Sequence, residues 1–554
     1  MLTVRLLHRM PNLRHGFGSG LWWVRIAGIK ALSETLMHTS TTIPARLERL
    51  RSGALAVGLA CSFVVAGFAA RADTAGDAVS RHLELNGAQV LREFRDFLSL
   101  ANVSTADADM QANAQWIVDY VGQRGFTSEV VSAGRSPYVL AERKVDGAEK
   151  TLLIYAHFDG QPVEPANWAT PPFEPTLKAD GQPVDWEAID GGPINKEWRV
   201  YARSAGDDKA PVIALMHAID ALEAAGVPLS TNIKLFLDGE EEFGSPTLAG
   251  ILAAHADKLD ADLMLFCDGP MHQSGRRQLV FGVRGDVGVH LTSYGPARPL
   301  HSGHYGNWAP HPTDSMMRLL TTLKDEHGNI LVPGYLDEVD PISEAERAAI
   351  AAMPSVDAQL REELALGRVE GDGKRIEETI MLPAINIVGF QAGGVAGQAR
   401  NIILPTAEVS LDLRLVKSQT LENVRNTLEA HFEAQGYHVT HEEPSQELRR
   451  QHANVLKVEW DGGYPAYRSA LDGEQAQRIV AILAAHDGQS PLLTPTLGGS
   501  LPVYLFDQAL DMPIVLLPIA NHDNNQHGRD ENMRIGNLFS AVGAYAAVLA
   551  DYGR

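Results

Sequence analysis

One stretch of this chain, residues 235–245 with the sequence LFLDGEEEFGS, constrains the fold more than any other. Residues 233–237 have the length and apolar character of a buried strand, and four acidic side chains follow it around a single glycine. Since open α/β sheets carry their chemistry at the carboxyl ends of strands, we expect these carboxylates at such an edge, beside a counter-cation. Adjacent Glu241 and Glu242 can then divide two tasks, one binding a metal ion and the other moving a proton. The alternative is an ordinary solvated acidic turn.

Length and composition predict a globular protein of two domains. With 554 residues, 45% of them hydrophobic, the chain can bury a large core and exceeds the usual size of one domain. Glycine and charged residues occur at ordinary levels, which argues against long disordered or repetitive segments. The formal net charge of −22 argues against nucleic acid and anionic membrane surfaces as partners, because both repel an acidic protein.

The amino-terminal residues 1–72 differ from the rest of the chain and hold nine Lys plus Arg but only two Glu. An uncharged apolar stretch, residues 53–70, follows three arginines and ends at an A-x-A-like site at Ala72. We therefore expect an export signal that is cleaved near Ala72, which makes the mature protein periplasmic or secreted. The alternative is an uncleaved membrane anchor, since the stretch is nearly long enough to span a bilayer. After cleavage Cys267 is the only cysteine, so an intrachain disulfide is excluded.

Two further apolar runs end in residues that can bind a metal. Residues 151–155 lead into His157 and Asp159, and a carboxylate two residues after a histidine can orient the imidazole ring of a metal ligand. Residues 261–266 lead to Asp268. If these runs lie parallel to the run before Glu241 in one sheet, their carboxyl ends converge. Taken alone, His157 reads more readily as a satisfied core or loop histidine than as a metal ligand.

Asp207 and Asp208 stand just before residues 211–224, which read as a helix with proline in its first turn. An aspartate in that position can cap the helix, or it can bridge two metal ions. Residues 163–198, rich in Pro and Trp, read as one long loop, and residues 521–531 read as the opening of the last helix.

From about residue 282 the pattern changes to β-α-β-β-α-β, the split βαβ arrangement, and an α/β pattern returns at Tyr464. We therefore expect a domain of residues 282–463 inserted into a domain formed by residues 80–281 and 464–554.

Several segments, taken together and in order, resemble one known pattern. HFDGQP begins at His157, DDK at Asp207 and EEFGS at Glu241, and Asp268, HSG at His301 and H-x-x-D-E at His527 follow. From about residue 85 to the end the chain resembles the dizinc exopeptidase family of glutamate carboxypeptidase, the carnosinase-type dipeptidases and the aminoacylases. The resemblance implies an α/β catalytic domain, a mixed sheet flanked by helices, with an inserted ferredoxin-like βαββαβ lid and dimerisation domain. It also implies a homodimer.

The same resemblance implies the residues of the site. His157 and Asp268 would hold one zinc ion, Glu242 and His527 the other, and Asp207 would bridge the two; cobalt or manganese could replace zinc. Glu241 would be the general base for a water that bridges the zinc ions, Asp159 would steady His157, and His301 would reach the partner subunit's site to polarise the scissile carbonyl. The residues expected to bind the substrate are Asn401, Arg414, Gly498, Gly499 and Ser500. A cis peptide bond is expected between Asp207 and Asp208.

These features predict a hydrolase that cleaves the amide bond of a dipeptide or short peptide with a free carboxylate. An N-acyl or N-carbamoyl amino acid amidohydrolase would use the same ligands and remains open. A non-catalytic zinc-binding protein of the same fold is a third reading. Glu241 argues against it, because a protein that only binds metal needs no ionised base beside the ligands.

Overall fold

The computed structural model describes the backbone of residues 51–554 and the side chains of residues 75–554. Residues 64–554 belong to one unit of the fold. The expected export signal, residues 1–72, lies outside the residues whose side chains are described. Within the described part of the chain, no helix combines the length and the hydropathy that a membrane crossing requires.

The described residues form helices and strands that alternate along most of the chain. The helices are α1 (Arg51–Leu98), α2 (Asp107–Gly122), α3 (Ala210–Ala224), α4 (Leu248–Leu259), α5 (Ser302–Tyr305), α6 (Pro312–Leu320), α7 (Glu344–Ala352), α8 (Asp357–Glu363), α9 (Ile376–Ile380), α10 (Leu421–Ala434), α11 (Gln446–Gln451), α12 (Glu474–Asp487), α13 (Val503–Ala509) and α14 (Ile535–Asp551). The strands are β1 (Thr127–Val131), β2 (Tyr138–Arg143), β3 (Lys150–His157), β4 (Thr176–Ala179), β5 (Gln182–Pro183), β6 (Arg199–Tyr201), β7 (Thr231–Asp238), β8 (Leu263–Phe266), β9 (Gln278–Val280), β10 (Gly282–Val283), β11 (Gly285–Tyr294), β12 (Leu300–His301), β13 (Ala384–Gln391), β14 (Ile402–Ile403), β15 (Thr406–Leu415), β16 (His438–Thr440), β17 (Val455–Tyr464), β18 (Tyr467–Arg468), β19 (Leu492–Thr494), β20 (Ile514–Leu516) and β21 (Asn532–Arg534).

The largest sheet has eight strands in the order β1-β2-β7-β3-β8-β20-β9-β19. Its central strands β7, β3, β8 and β20 run parallel, while β1, β2 and β7 pair antiparallel at one side. The three apolar runs that the sequence predicts to be parallel are therefore adjacent, in the order β7-β3-β8. The fold is thus the expected mixed α/β sheet with helices on both faces.

Both faces of this sheet are covered, as parallel strands require. On one face Leu152 and Ile154 of β3 join the core formed with α3 and α14. Helix α14 is buried along almost its whole length, which explains why its sequence is apolar on every side. On the other face the ring of Phe506 meets three aromatic rings of neighbouring strands nearly edge-on, at centroid distances of 5.1 to 6.0 Å: Tyr155, Phe236 and Phe266.

Two expectations about the chain around this sheet are wrong. Residues 163–198 are not one loop, because β4 and β5 form a hairpin in a four-stranded sheet of order β21-β6-β4-β5. Asp180 and Gly181, both with positive φ, make its two-residue turn, and this dipeptide is a recognised hairpin signal. Residues 521–531 do not open the last helix. They form a loop that leads into β21, and α14 begins only at Ile535.

A second sheet has five strands in the order β13-β15-β11-β17-β16, antiparallel except for the pair β16 and β17. Apolar residues of α6 and α10 pack against it and form a separate core. Strand β17 was not expected from the sequence. The acidic insertion, which is the stretch between α6 and β13, forms the three short helices α7, α8 and α9.

Candidate active site

The candidate site lies where three neighbouring parallel strands end. His157 is the last residue of β3 and pairs in register with Asp238, the last residue of β7. Asp268 follows two residues after the end of β8. The strand order β7-β3-β8 therefore brings these carboxyl ends to one edge of the sheet, where loops from other parts of the chain complete the site.

Five predicted ligands come together as two groups that share one residue. The first group is His157, Asp207 and Asp268, and the second is Asp207, Glu242 and His527; within each group the candidate ligand atoms lie within 4.8 Å of one another. His157 Nε2 is 2.8 Å from Asp207 Oδ1 and 3.8 Å from Asp268 Oδ2. His527 Nε2 is 3.2 Å from both Asp207 Oδ2 and Glu242 Oε2. Asp207 thus presents one carboxylate oxygen to each group.

The donor set fits metal ions. His157, Asp207 and Asp268 are almost fully buried, and neither carboxylate oxygen of Asp268 has a hydrogen-bond partner. A buried carboxylate without donors is costly unless it binds a cation. Each group offers one imidazole nitrogen and carboxylate oxygens, the ligands that zinc and related divalent ions take in catalytic sites.

In the metal-free protein the crowded acids shift one another's pKa values. Burial raises the pKa of Asp268 to about 7 and that of Glu242 to about 8, and the charge of Asp207 contributes to both. The hydrogen bond to Asp207 raises the pKa of His527 to about 9. Burial of its carboxyl group raises the pKa of Glu241 well above its ordinary value, and the charges of Asp268 and Glu242 add to this.

Asp159 connects the end of β3, which carries His157, to the turn that carries Glu241. Its fully buried carboxylate accepts hydrogen bonds from the backbone N–H groups of Glu241 and Glu242, both at 3.1 Å, and its Oδ1 is 3.3 Å from His157 Nδ1. One side chain therefore fixes the orientation of the imidazole ring and the position of the acidic turn.

The acids of the turn divide into two that hold it together and two that face the site. Asp238 accepts hydrogen bonds from Glu240 N–H and from Ser245 Oγ, each at 2.8 Å. Glu240 Oε1 accepts from Tyr138 Oη at 2.6 Å and from the backbone of Thr247 at 2.8 Å. Both acids are fully buried, so the alternative of a solvated turn is wrong.

Glu531 is a site residue that the sequence reasoning missed. It is fully buried and accepts hydrogen bonds from the backbone N–H groups of Ser204, Gly206 and Asp207 at 2.9 to 3.0 Å, and from Arg203 Nη1 at 2.7 Å. It thereby fixes the loop that carries Asp207. The available signal was its position at the end of H-x-x-D-E, where the motif drew attention only to His527. The expected cis peptide bond between Asp207 and Asp208 is confirmed.

The five residues expected to bind substrate, together with the expected catalytic residue His301, fall into two groups. In the first group, Arg414 Nη1 donates to Ser500 Oγ at 2.8 Å. The two neighbouring glycines accept hydrogen bonds from Arg284. Its Nε donates to the carbonyl of Gly498 at 3.1 Å, and its backbone N–H donates to the carbonyl of Gly499 at 3.2 Å. His301 and Asn401 form the second group, since β12 pairs with β14 and the N–H of Ser302 donates to the carbonyl of Asn401 at 3.0 Å. Both side chains of the second group are exposed.

The pKa of Tyr464 is affected by charges of both the first group and the acidic turn. Burial and the charges of Asp286 and Glu241 raise its pKa, while the charge of Arg414 acts in the opposite direction. The charges of the acidic turn and of the Arg414 guanidinium therefore both act on the pKa of its hydroxyl.

Solved structures with the same fold indicate the class of protein. An M20 family metallo-carboxypeptidase, Sso-CP2 from Sulfolobus solfataricus, superposes with a TM-score of 0.69 at 25% identity, covering 84% of this chain and 99% of that one. Human carnosine dipeptidase 1 gives a TM-score of 0.70 at 21% identity, covering 86% and 98%. The fold and the site together define a metallopeptidase.

Curated relatives and a family model agree with this class. The Cys-Gly metallodipeptidase dug1 of Schizosaccharomyces pombe is 26% identical over 416 residues, covering 73% of this chain and 80% of that protein. The Beta-Ala-His dipeptidase of Homo sapiens is 24% identical over 424 residues, covering 75% and 77%. Residues 153–551 match the model of peptidase family M20/M25/M40, and the chain belongs to this family of metal-dependent enzymes.

The substitution Glu531→Gln should lower the free energy of unfolding by about 3 kcal/mol, because it leaves the buried guanidinium of Arg203 without a counter-charge. Urea unfolding followed by tryptophan fluorescence measures the change. The matched control is Asp530→Asn at the preceding position, where the carboxylate is partly exposed and accepts one hydrogen bond from the backbone N–H of Ala169. This control should cost less than about 1 kcal/mol. Equal losses in the two variants would contradict the role given to Glu531.

Zinc affinity should weaken steadily as the pH falls from about 9 to about 6. The raised pKa values of His527, Glu242 and Asp268 mean that these groups hold protons in the metal-free protein, and each proton must leave before the group can bind metal. Affinity therefore rises as the pH increases through these pKa values and becomes constant above them. Calorimetric titration in buffers of different ionisation enthalpy counts the protons released. An affinity that does not change over this pH range would exclude proton competition at the site.

Proposed function

We propose that this metallopeptidase hydrolyses the amide bond of a dipeptide or short peptide that carries a free terminal carboxylate. The observation that supports this most directly is the carboxylate of Asp207, shared by two ligand groups beside Glu241. His157 and Asp268 would hold one zinc ion, Glu242 and His527 the other, and Asp207 both; cobalt or manganese could substitute. When bound, such a pair of ions polarises the substrate carbonyl and lowers the pKa of water.

Glu241 is proposed as the general base and acid. Its backbone is fixed by Asp159 and its carboxyl group lies within the charged cluster, yet it belongs to neither ligand group. It would take a proton from the attacking water and deliver it to the nitrogen of the leaving amine, which requires a group within hydrogen-bond reach of both atoms. Asp159 would keep the ring of His157 in the orientation that metal binding requires.

Arg414 is proposed to bind the carboxylate of the substrate. Its guanidinium is half-buried, and the fork of N–H donors suits a planar carboxylate. Ser500 is already within hydrogen-bond distance of Arg414, and Gly498 and Gly499 bring backbone groups to the same place. Asn401 would complete the contacts with the substrate.

Residues 282–463 are proposed to form an inserted, ferredoxin-like lid and dimerisation domain. The strand order β13-β15-β11-β17, with α6 and α10 on one face, supports this assignment. The exposed apolar side chains of Ile387, Val388 and Phe390 on β13 are consistent with a surface that a second subunit covers. In such a homodimer His301 would act at the partner subunit's site, where it would stabilise charge that develops on the carbonyl oxygen.

The mature enzyme is proposed to be exported by a signal within residues 1–72.

A peptide substrate is favoured over an N-acyl or N-carbamoyl amino acid because the relatives described above are named as dipeptidases. A panel of dipeptides and N-acetyl amino acids, assayed with the purified protein in the presence and absence of a chelator, distinguishes the two substrate classes.

The substitution Glu241→Gln should reduce kcat by about 10²–10⁴-fold while the protein keeps its metal, because the amide cannot accept the proton of the attacking water. Metal content by mass spectrometry and dipeptide hydrolysis are measured on the same sample. Glu242→Gln is the contrasting variant and should lose metal together with activity. Undiminished hydrolysis by the Glu241 variant would refute the mechanism.

The substitution Arg414→Ala should raise KM for dipeptides with a free carboxylate by about 10–100-fold, the usual range for a lost charged hydrogen bond. The same dipeptides with an amidated carboxyl terminus lack the charge that Arg414 binds, so their slower hydrolysis should change little. Steady-state kinetics on both substrate sets provides the comparison. A similar loss on amidated peptides would show that Arg414 acts in some way other than by binding the carboxylate.

A further inference from the structure

A cavity of about 600 Å³ lies between the acidic insertion and strand β13, and the proposed mechanism does not use it. Its size is within the range of small-molecule sites in proteins. Aliphatic side chains of α8, of α9 and of the segment between them provide much of its lining, among them Leu360, Leu364, Leu366, Val369, Ile376 and Ile380. The cavity is therefore suited to an apolar group.

The charged residues around the cavity already have partners within the protein. Lys324 lies 3.7 Å from Glu370, and Asp357 accepts a hydrogen bond from the backbone of Ile376 at 2.9 Å. Arg361 donates to the carbonyl of Gly367 at 3.2 Å. Leu364 is 62% exposed and Val369 is 47% exposed, and such accessible apolar surface is characteristic of a binding site.

The cavity adjoins the group that is proposed to bind the substrate carboxylate. Arg284 and Gly498 both line it, and Gly498 lies in the loop between β19 and α13 that also carries Ser500. Ile380 lies 3.5 Å from the position that a Cβ on Gly498 would occupy, so the cavity wall and this loop are in contact.

A second connection runs through Asn386, which also lines the cavity. Its Nδ2 donates to Asp412 Oδ2 at 3.1 Å, and the same oxygen accepts from Arg414 Nε at 3.1 Å. The proposed carboxylate-binding group is therefore joined to the lining of the cavity through Asp412 and Asn386.

From this arrangement we infer that the cavity receives the side chain of the carboxy-terminal residue of the substrate and selects for a large apolar side chain. The inference rests on the proposed function, because it takes Arg414 as the carboxylate-binding group. A glycine in that position leaves the cavity without an occupant, whereas phenylalanine or leucine removes apolar surface from water there. The selectivity is carried by the insertion and β13, and it is separate from the metal ligands.

Hydrolysis of Ala-Phe, Ala-Leu and Ala-Gly by the full-length, zinc-loaded protein tests the inference. We expect kcat/KM to be at least about tenfold higher for Ala-Phe and Ala-Leu than for Ala-Gly, as burial of an apolar group in a substrate pocket gives.

The substitution Ile380→Trp, which fills the cavity beside Gly498, should reduce this ratio toward one. Leu364→Glu provides a second variant at an exposed position, where folding is not at risk, and should reduce the ratio by placing a charge at the rim. Leu85→Glu is the control, because Leu85 is 81% exposed on α1 and does not line the cavity.

Equal rates for Ala-Gly and Ala-Phe in the unsubstituted protein would overturn the inference while leaving dipeptide hydrolysis in place. A ratio that stays unchanged in both cavity variants would overturn it as well. If the unsubstituted protein cleaves none of the three dipeptides, the proposed function itself fails and the inference fails with it. The two kinds of failure are therefore distinguishable.

Discussion

The burial of several carboxylates at the ends of parallel strands is the constraint on which the rest of the site depends. A carboxylate that leaves water must find donors or cations, or take up a proton. The carboxylates that build the scaffold have protein donors: Asp159 accepts from the turn at Glu241, and Glu531 accepts from three backbone N–H groups and Arg203. Asp268 has none for either oxygen. This difference separates the acids that shape the loops from an acid that is available to a metal ion.

The hydrophobic core makes this concentration of charge tolerable, because it fixes the strands from which the loops emerge. Helices α3 and α14 cover one face of the main sheet, and the aromatic cluster around Phe506 covers the other. The buried Lys209, two residues after Asp207, donates to the backbone carbonyls of Phe97 and Leu100 and so ties the metal-binding loop to α1 and the residues that follow it. The loop that carries Asp207 is therefore held from two sides, by Lys209 and by Glu531. A site assembled in this way can keep like charges close together because its backbone does not have to be held by the metal alone.

Those parts of the fold that depend on local patterns could be predicted from the sequence, and those that depend on tertiary contacts could not. The apolar runs before Asp238, His157 and Asp268 identify buried strands, and the acidic and imidazole groups at their ends identify one edge of a sheet. Strand β17 escaped prediction because its apolar residues alternate only in part and two glycines interrupt it near its end, so its pairing with β11 decides its conformation. The loop before α14 was predicted as part of the helix because β21, which ends that loop, forms only by pairing with β6. Glu531 was not predicted because it binds backbone N–H groups that are distant in sequence and meet it only in the folded protein. The Asp180-Gly181 turn, in contrast, was a local signal that could have been recognised.

The acidic insertion between α6 and β13 lies between the five-stranded sheet and the part of the chain that returns to the eight-stranded sheet. Arg375 donates to the carbonyls of Ile350, Met353 and Pro354 and so holds the short helices together. Glu346 pairs with Arg468 at 3.0 Å in a largely buried ion pair, which ties the insertion to the part of the chain that follows the second sheet. The insertion thus packs beside β13 of one sheet and is anchored to residues that lead back to the other. The wall of the cavity is therefore held by contacts of its own, while the loop that carries Asp207 is held separately by Lys209 and Glu531.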